Sequence, residues 1–498
     1  MLARSPPFPL IINFIHIHHD LDITAKDEEG IVFALQQRNR VRHIHFRMPI
    51  RNLQRFIMAI DEDYPMLESL VMLHPTRDNS ANLILPQSFR APQLQRLVLS
   101  GVAFPTKSLL LTIAISGLVT LRLYLIHQSA YFPPNILLQS LSIMPQLETL
   151  VVGFLFPVPH RDIERQLLPI GTHITLPNLR YFTFQGASTY LEALVRWATT
   201  PCLEKLGIVF SNDLMFSLPY LLQFFRTTES LKFHSAVIKF SSVSTRVAVY
   251  SPEGRGKWAF RMDVDCEQFD WQLSSMAQIF SALTNAFSEV EHLILGVERG
   301  NLSPDLEEGH HEIDRIEWRR LLSSFGNVKT IFVDYPLAAE VSHCLRSEDG
   351  ELPLELLPEL QELICPGIDD GNPFKPFIDS RQSTGRPVTL VRRPEAHVPS
   401  KVSSSAAGSW NPFAGSLQST SESRSPYNPG GFRVVRQQNP RPIAAAPLSQ
   451  GPAGVQNAWV PFSQAYSDFT FLHQPLHQDS TAPFICIAFS PFVALLPC

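Results

Sequence analysis

A chain of 498 residues, 45% of them hydrophobic, is long enough for two or three ordinary domains or one long repetitive one. Its net charge of −5 excludes a generally basic nucleic-acid binder. The charge is uneven, because residues from 391 onward carry +3 and leave −8 on residues 1–390.

The N-terminus, MLARSPPFPLIINFIHIHHD, has a short apolar run that prolines interrupt and histidines end, with no small-residue cleavage site after it. It does not read as a signal peptide, so the lone sequon Asn301-Leu302-Ser303 carries no expectation of a glycan. The six cysteines, Cys202, Cys266, Cys344, Cys365, Cys486 and Cys498, are far apart and include no C-x-x-C. They read as reduced and mostly buried, in a cytoplasmic or nuclear protein. His16, His18 and His19 with Asp20 crowd the first strand, and alternation places His16 and His18 on one face, but no third and fourth ligand for that pair stands nearby in sequence, so no metal is expected there.

From residue 41 a hexamer of the form apolar-x-x-apolar-x-apolar recurs. It starts at Val41, Leu67, Leu94, Leu118, Leu147, Leu179, Leu203, Thr228, Ala259, Val290, Val328 and Leu360, at intervals of 24 to 38 residues. Each hexamer ends in period-2 alternation, such as Leu97-x-Leu99, which is strand patterning. Between hexamers the apolar spacing is helical: Leu53, Phe56, Ile57 and Ile60; Leu191, Leu194, Val195 and Ala198; Ile313, Ile316, Leu321 and Phe325. In six repeats a proline stands two residues before the first core residue, as in MPQLETLVV (144–152) and LPNLRYFTF (176–184). There it stops the preceding helix and precedes the ladder, where a missing N–H costs least.

A strand and a helix repeating at this period predict an α/β, leucine-rich-repeat-like strand–helix solenoid over residues 9–393, in which stacked units share one core. The repeats are degenerate, without an Asn at the ninth position, so regular curvature is not implied. VAVY and KWAFRMDVD flank Pro-Glu-Gly-Arg-Gly (252–256) and predict a hairpin. PDLEEGHHEID (304–314) reads as a surface loop. From 394 the period stops, and 13 of the 41 prolines fall in 399–498 among Ser, Gln, Gly and Asn. Residues 394–498 are therefore expected to be a Pro/Ser-rich disordered tail. Its apolar end, APFICIAFSPFVALLPC, holds three prolines and is shorter than the roughly 20 residues of a membrane helix, so no membrane association is expected.

Chemistry is sparse. The chain has no phosphate loop and no G-x-G-x-x-G. Gly186-Ala187-Ser188-Thr189-Tyr190 fails the nucleophile-elbow pattern at its last position, which leaves Ser188 as an expected helix N-cap. His310-His311-Glu312 has Arg315 where a zinc-protease helix needs its second His. Cys202 and Cys365 have no base in view and read as buried structural thiols. No cofactor is expected.

The third, fifth and seventh residues of each hexamer should point out of the sheet on its concave side. They include His43, His45, Arg47, Arg96, Arg122, Tyr124, Tyr181, Lys205, Lys232 and Arg261, with the acids Asp263, Asp265, Asp334 and Glu362 only later. A face basic for most of its length predicts a protein partner with an acidic segment, contacting Arg47, Arg96, Arg122, Tyr124, Tyr181, Lys205, Lys232 and Arg261 on adjacent strands. The acids at the far end and the core charge disfavour nucleic acid, and a monomer is expected.

RHIHFRMP (42–49), MAIDEDYPMLESL (58–70), LPNLRYFTFQG (176–186), DWQLSSMAQIFSAL (270–283), EWRRLLSSFGNVKTIFVD (317–334), LRSEDGELPLELLPELQEL (345–363) and GRPVTLVRR (385–393) resemble the fungal F-box/leucine-rich-repeat-like proteins over roughly residues 9–393. The resemblance implies a non-enzymatic protein–protein recognition module, like the substrate-recognition part of an F-box ubiquitin-ligase subunit. In that family an F-box of three helices docks a Skp1-type adaptor. This sequence is expected to lack the F-box, since the first repeat starts near Pro9. LPLELLPEL (352–360) imitates an F-box opening without the helices that should follow, so a Skp1-type adaptor is not an expected partner. The second reading is a hydrolase whose site is assembled from distant residues.

Overall fold

The computed structural model describes residues 8–15, 23–74, 83–103, 115–127, 130–155, 173–211, 216–228, 230–252, 257–266, 268–298, 311–346, 356–367, 372–392 and 485–488. Strands are β1 (Leu10–Ile15), β2 (Val41–Arg47), β3 (Ser69–Leu73), β4 (Arg96–Ser100), β5 (Thr120–Ile126), β6 (Thr149–Phe154), β7 (Tyr181–Gly186), β8 (Lys205–Ser211), β9 (Ser235–Phe240), β10 (Ser244–Tyr250), β11 (Trp258–Asp265), β12 (His292–Val297), β13 (Thr330–Val333), β14 (Glu362–Ile364), β15 (Thr389–Val391) and β16 (Ile485–Ala488). Helices are α1 (Ala25–Leu35), α2 (Ile50–Ala59), α3 (Pro134–Leu141), α4 (Ser188–Val195), α5 (Pro219–Thr227), α6 (Phe269–Ala282), α7 (Thr284–Phe287), α8 (His311–Leu322), α9 (Ala338–Leu345) and α10 (Lys375–Ser383).

All these strands join one sheet, in the order β15-β14-β13-β12-β9-β10-β11-β8-β7-β6-β5-β4-β3-β2-β1-β16. The architecture is thus mixed α/β, with a long, almost wholly parallel sheet. From β1 to β8 each new strand is added beside the last. The expected hairpin is the one departure. Strand β10 runs antiparallel to both β9 and β11, and β11 rather than β9 lies against β8. The parallel march then resumes from β9 through β12.

Ten of the twelve hexamers share one register, as the pairings Leu70↔Leu97, Leu97↔Leu121, Leu121↔Leu150 and Phe182↔Leu206 illustrate. The proline sits inside a turn that delivers the first core residue. Leu67 N–H donates to the Tyr64 carbonyl at 3.2 Å, Leu94 to Ala91 at 3.1 Å and Leu147 to Met144 at 3.2 Å, across Pro65, Pro92 and Pro145. Proline at the second turn position presets the backbone there, and its missing N–H is not needed.

The inward strand residues and the helices build one core cluster containing Leu70, Leu97, Leu121, Leu150, Leu206, Leu53, Phe56, Leu137 and Leu191. Several local expectations need correction. Ala198 lies beyond α4, in a two-residue strand. Ile316 is 63% exposed, and Trp318 takes the core position on α8 instead. Ser188 is the first residue of α4, whose N-cap is Ala187. Cys202 is exposed rather than buried.

The sequon, His16, His18, His19, residues 304–310 and most of the tail lie outside the described residues, while 311–314, expected as the end of a surface loop, form the first turn of α8. Within the tail, Ile485–Ala488 form a parallel strand on β1, where disorder was expected. Among the described residues no helix is long and apolar enough to cross a membrane.

Candidate partner-binding face

Because the pairing is in register, the outward residues form rows across the sheet, one strand spacing of about 4.8 Å apart. The first row runs His43, Ser69, Arg96, Thr120, Thr149, Tyr181 and Lys205. The second runs His45, Val71, Val98, Arg122, Val151, Thr183, Gly207 and Arg261. The third runs Arg47, Leu73, Ser100 and Tyr124 over β2–β5, and Gly153, Gln185, Val209 and Asp263 over β6–β11. The middle row is largely aliphatic between its basic residues. Val71, Val98 and Val151 there are buried, yet they stand outside the core cluster on the other side of the sheet.

Arg96 and Arg122 are neighbours, on β4 and β5. Arg96 is exposed and Arg122 half-buried. Partial desolvation against the sheet lowers the Arg96 pKa most, even though the residue as a whole is exposed, and the Arg122 charge lowers it further. Among the described residues neither guanidinium has a carboxylate in ion-pair range. Tyr124 stays on this face but is only 5% exposed; burial raises its pKa, and the Arg122 guanidinium, which donates to its hydroxyl oxygen, opposes the shift. The ladder is irregular just beyond it, between Leu123 and Ile126, and Leu125 adopts φ 51° there. That bulge returns Ile126 to the core side.

Farther along, Tyr181 packs against Trp258 with ring centres 6.0 Å apart and planes tilted by 59°, and the Lys205 ammonium lies 5.8 Å from the same indole. Trp258 was not foreseen. The pairing of β11 with β8 brings it there across 53 residues of sequence, counted from Lys205.

The remaining expected contacts are not equivalent. Arg261 is 6% exposed and lies 3.7 Å from the Asp263 carboxylate, with its pKa depressed by burial to about 10. Asp263 also receives Arg246 at 3.3 Å, and Arg246 reaches Glu298 at 3.1 Å. The charges of this cluster are paired within the chain, and Arg261 and Asp263 are buried, so it offers a partner little. Lys232 is off the sheet. The Thr228 hexamer is not the strand; Phe233, Ala236 and Ile238 take the core positions, and Phe233 packs on Phe225, Phe260 and Phe287. Arg47 lies on β2, separated from Arg96 by β3, and β6 and β7 separate Arg122 from Lys205. A continuous basic row on adjacent strands is therefore not formed; Arg96 with Arg122 is the adjacent pair.

A second repeating feature lies along the leading edge of the strands. In most repeats the second hexamer residue offers its carbonyl to two successive N–H groups of the next. Glu68 takes Gln95 and Arg96 at 2.9 and 3.0 Å, and Glu291 takes Lys329 and Thr330 at 2.8 and 3.1 Å. Side chains at this position pair along the edge: Arg42 with Glu68 at 3.3 Å, Arg180 with Glu204 at 2.9 Å, and Lys329 with Glu291 at 2.9 Å. The signal was present in the sequence as opposite charges at one hexamer position.

No protein-family model matches the chain, and no curated protein matches it. Among solved structures it is similar to the leucine-rich repeat-containing protein LegL7 from Legionella pneumophila, with 13% identity over 72% of this chain and 100% of that one, and a TM-score of 0.26.

Proposed function

We propose that this chain is a non-enzymatic, leucine-rich-repeat-type recognition module that holds an acidic segment of a protein partner across β4–β11. The observation that carries the proposal is the Arg96–Arg122 pair: two neighbouring guanidinium groups without a carboxylate partner among the described residues. Like charges held this close repel each other, so a partner's carboxylates gain by lying between them. Arginine forks suit that geometry. Tyr181, Lys205 and Trp258 extend the surface with aromatic area, and such residues commonly anchor interfaces.

The role resembles the substrate-recognition repeats of fungal F-box proteins, with a cytoplasmic or nuclear location. A hydrolytic alternative gains nothing from Cys344 or Cys365, whose thiols burial pushes up to about 12, leaving them protonated at neutral pH.

Capture from cell extract with wild type and with the Arg96→Glu/Arg122→Glu variant tests the reading. The variant should lose the main captured proteins, and capture by wild type should weaken as salt rises, because surface charges are screened over about 8–10 Å. Identical captured sets would remove this face as the binding site.

A further inference from the structure

Two histidines and a glutamate meet at the leading edge of β9 and β12, away from the arginine pair. His234 immediately precedes β9, Glu291 immediately precedes β12, and His292 opens β12. The backbone fixes them together. Glu291 N–H donates to the His234 carbonyl at 2.9 Å, and His292 N–H reaches the same oxygen at 3.3 Å. The two imidazoles are edge to face with ring centres 5.0 Å apart. One ligand atom from each of His234, Glu291 and His292 lies within 4.8 Å of the others. His234 and Glu291 are half-buried and His292 is exposed.

We propose that His234, Glu291 and His292 form a binding site for a divalent transition-metal ion, with Zn2+ as the best match. Two imidazole nitrogens and one carboxylate oxygen are borderline donors that suit zinc, and three protein ligands leave a fourth position for water. Around a tetrahedral ion with ligands at about 2.0–2.1 Å, donor atoms stand roughly 3.3 Å apart. The present separation, up to 4.8 Å, is wider than that, and none of the three side chains is fully buried, so side-chain rotation is the movement the site would need.

The group already on Glu291 is the Lys329 ammonium, which donates to Oε1 at 2.9 Å. A bound ion would need the same carboxylate, so metal binding competes with the Lys329 bond. A purely structural ion pair and a metal site therefore make opposite predictions for Lys329. Removing the ammonium leaves a mere ion pair broken, but frees a metal ligand. The inference does not rest on the role of the arginine face.

The test is titration of the full-length, chelator-treated protein with Zn2+ by calorimetry, together with Co2+ absorption as a coordination probe. Wild type should bind one equivalent at this site at micromolar concentration or tighter, and Co2+ should give the visible bands of a four-coordinate ion. His234→Ala/His292→Ala should weaken that binding at least tenfold while circular dichroism shows the fold retained. Lys329→Gln should tighten it several-fold. The chain holds 17 histidines, so binding elsewhere is a real competitor. Zinc affinity and cobalt spectra unchanged in the double histidine variant would overturn the proposal, as would no micromolar binding by wild type.

Discussion

The Glu192 carboxylate on α4 caps the helix after it, with Oε2 accepting the Tyr220 N–H and Oε1 the Leu221 N–H, each at 2.8 Å. Tyr220 and Leu221 are the second and third residues of α5, which opens with Pro219. Two of the unpaired donors of that helix start are thus satisfied from the neighbouring repeat, by a negative charge that the helix dipole favours. Burial raises the Glu192 pKa while the two backbone bonds oppose the shift. Glu192→Ala should cost about 1–3 kcal/mol, since it leaves two donors without their acceptor. Glu192→Gln should cost less, because its amide oxygen still accepts. Urea unfolding midpoints check this, and a Glu192→Ala midpoint equal to wild type would mean that the cap contributes nothing.

The core leucines give a second expectation. Leu97, Leu121 and Leu150 are 1%, 0% and 2% exposed and pair in one column across β4, β5 and β6. Truncation of each to Ala should destabilise by about 2–5 kcal/mol. Val98→Ala, one residue from Leu97 but on the outward face, should cost less, because Val98 lies outside the shared core. Equal losses at Leu97 and Val98 would contradict the assignment of faces.

The repeat was legible because one physical constraint writes it. A parallel strand with one face on a core needs Leu-x-Leu, and the turn before it tolerates proline. The register failed where another constraint outweighed the hexamer. At Thr228 the aromatic cluster around Phe233 pulls the chain onward, and the strand starts at Ser235. The outward face was legible in direction but not in accessibility. Arg261 and Asp263 alternate outward as expected, yet their burial depends on Arg246, which an antiparallel strand brings alongside. Trp258 and the His234–Glu291–His292 group likewise arise from strand neighbours distant in sequence. Only the edge charges, fixed at one hexamer position, could have been read in advance.

Gly296 illustrates a constraint of close approach. A Cβ built there would stand 2.9 Å from Asp334 Oδ2, and that oxygen accepts the Val297 N–H at 2.9 Å. Gly296→Ala should push Asp334 away and leave Val297 without its partner, at a cost of roughly 1–3 kcal/mol. Asp334→Ala removes the same hydrogen bond and also the clash. The double variant should therefore be more stable than the sum of the two single effects predicts. Strict additivity in a double-mutant cycle would show that the two residues do not press on each other.

The last expectation concerns alkaline pH. Tyr64 donates its hydroxyl to the Leu35 carbonyl at 3.1 Å, and burial pushes its pKa up to about 12. Tyr190 donates to the Phe132 carbonyl at 3.1 Å, and burial raises its pKa well above 10.0. The Cys344 and Cys365 thiols rise from 9.0 to about 12, with burial the leading cause for each. All four groups hold their protons more tightly folded than unfolded. Above about pH 9 the unfolded chain therefore binds fewer protons, and stability falls as pH rises. This contribution is fully present below about pH 9 and is lost as pH climbs through about 12. Urea midpoints should accordingly be flat from pH 7.5 to about 9 in this respect and fall steadily by pH 11. In the native state a thiol reagent should label the exposed Cys202 and spare Cys344 and Cys365, which should react only as the protein unfolds. Tyrosinate absorbance from Tyr64 and Tyr190 should appear with the same unfolding transition. Rapid labelling of Cys344 in the folded protein, or midpoints unchanged to pH 11, would show that these groups are open to solvent and that the sheet and helices do not enclose them as described.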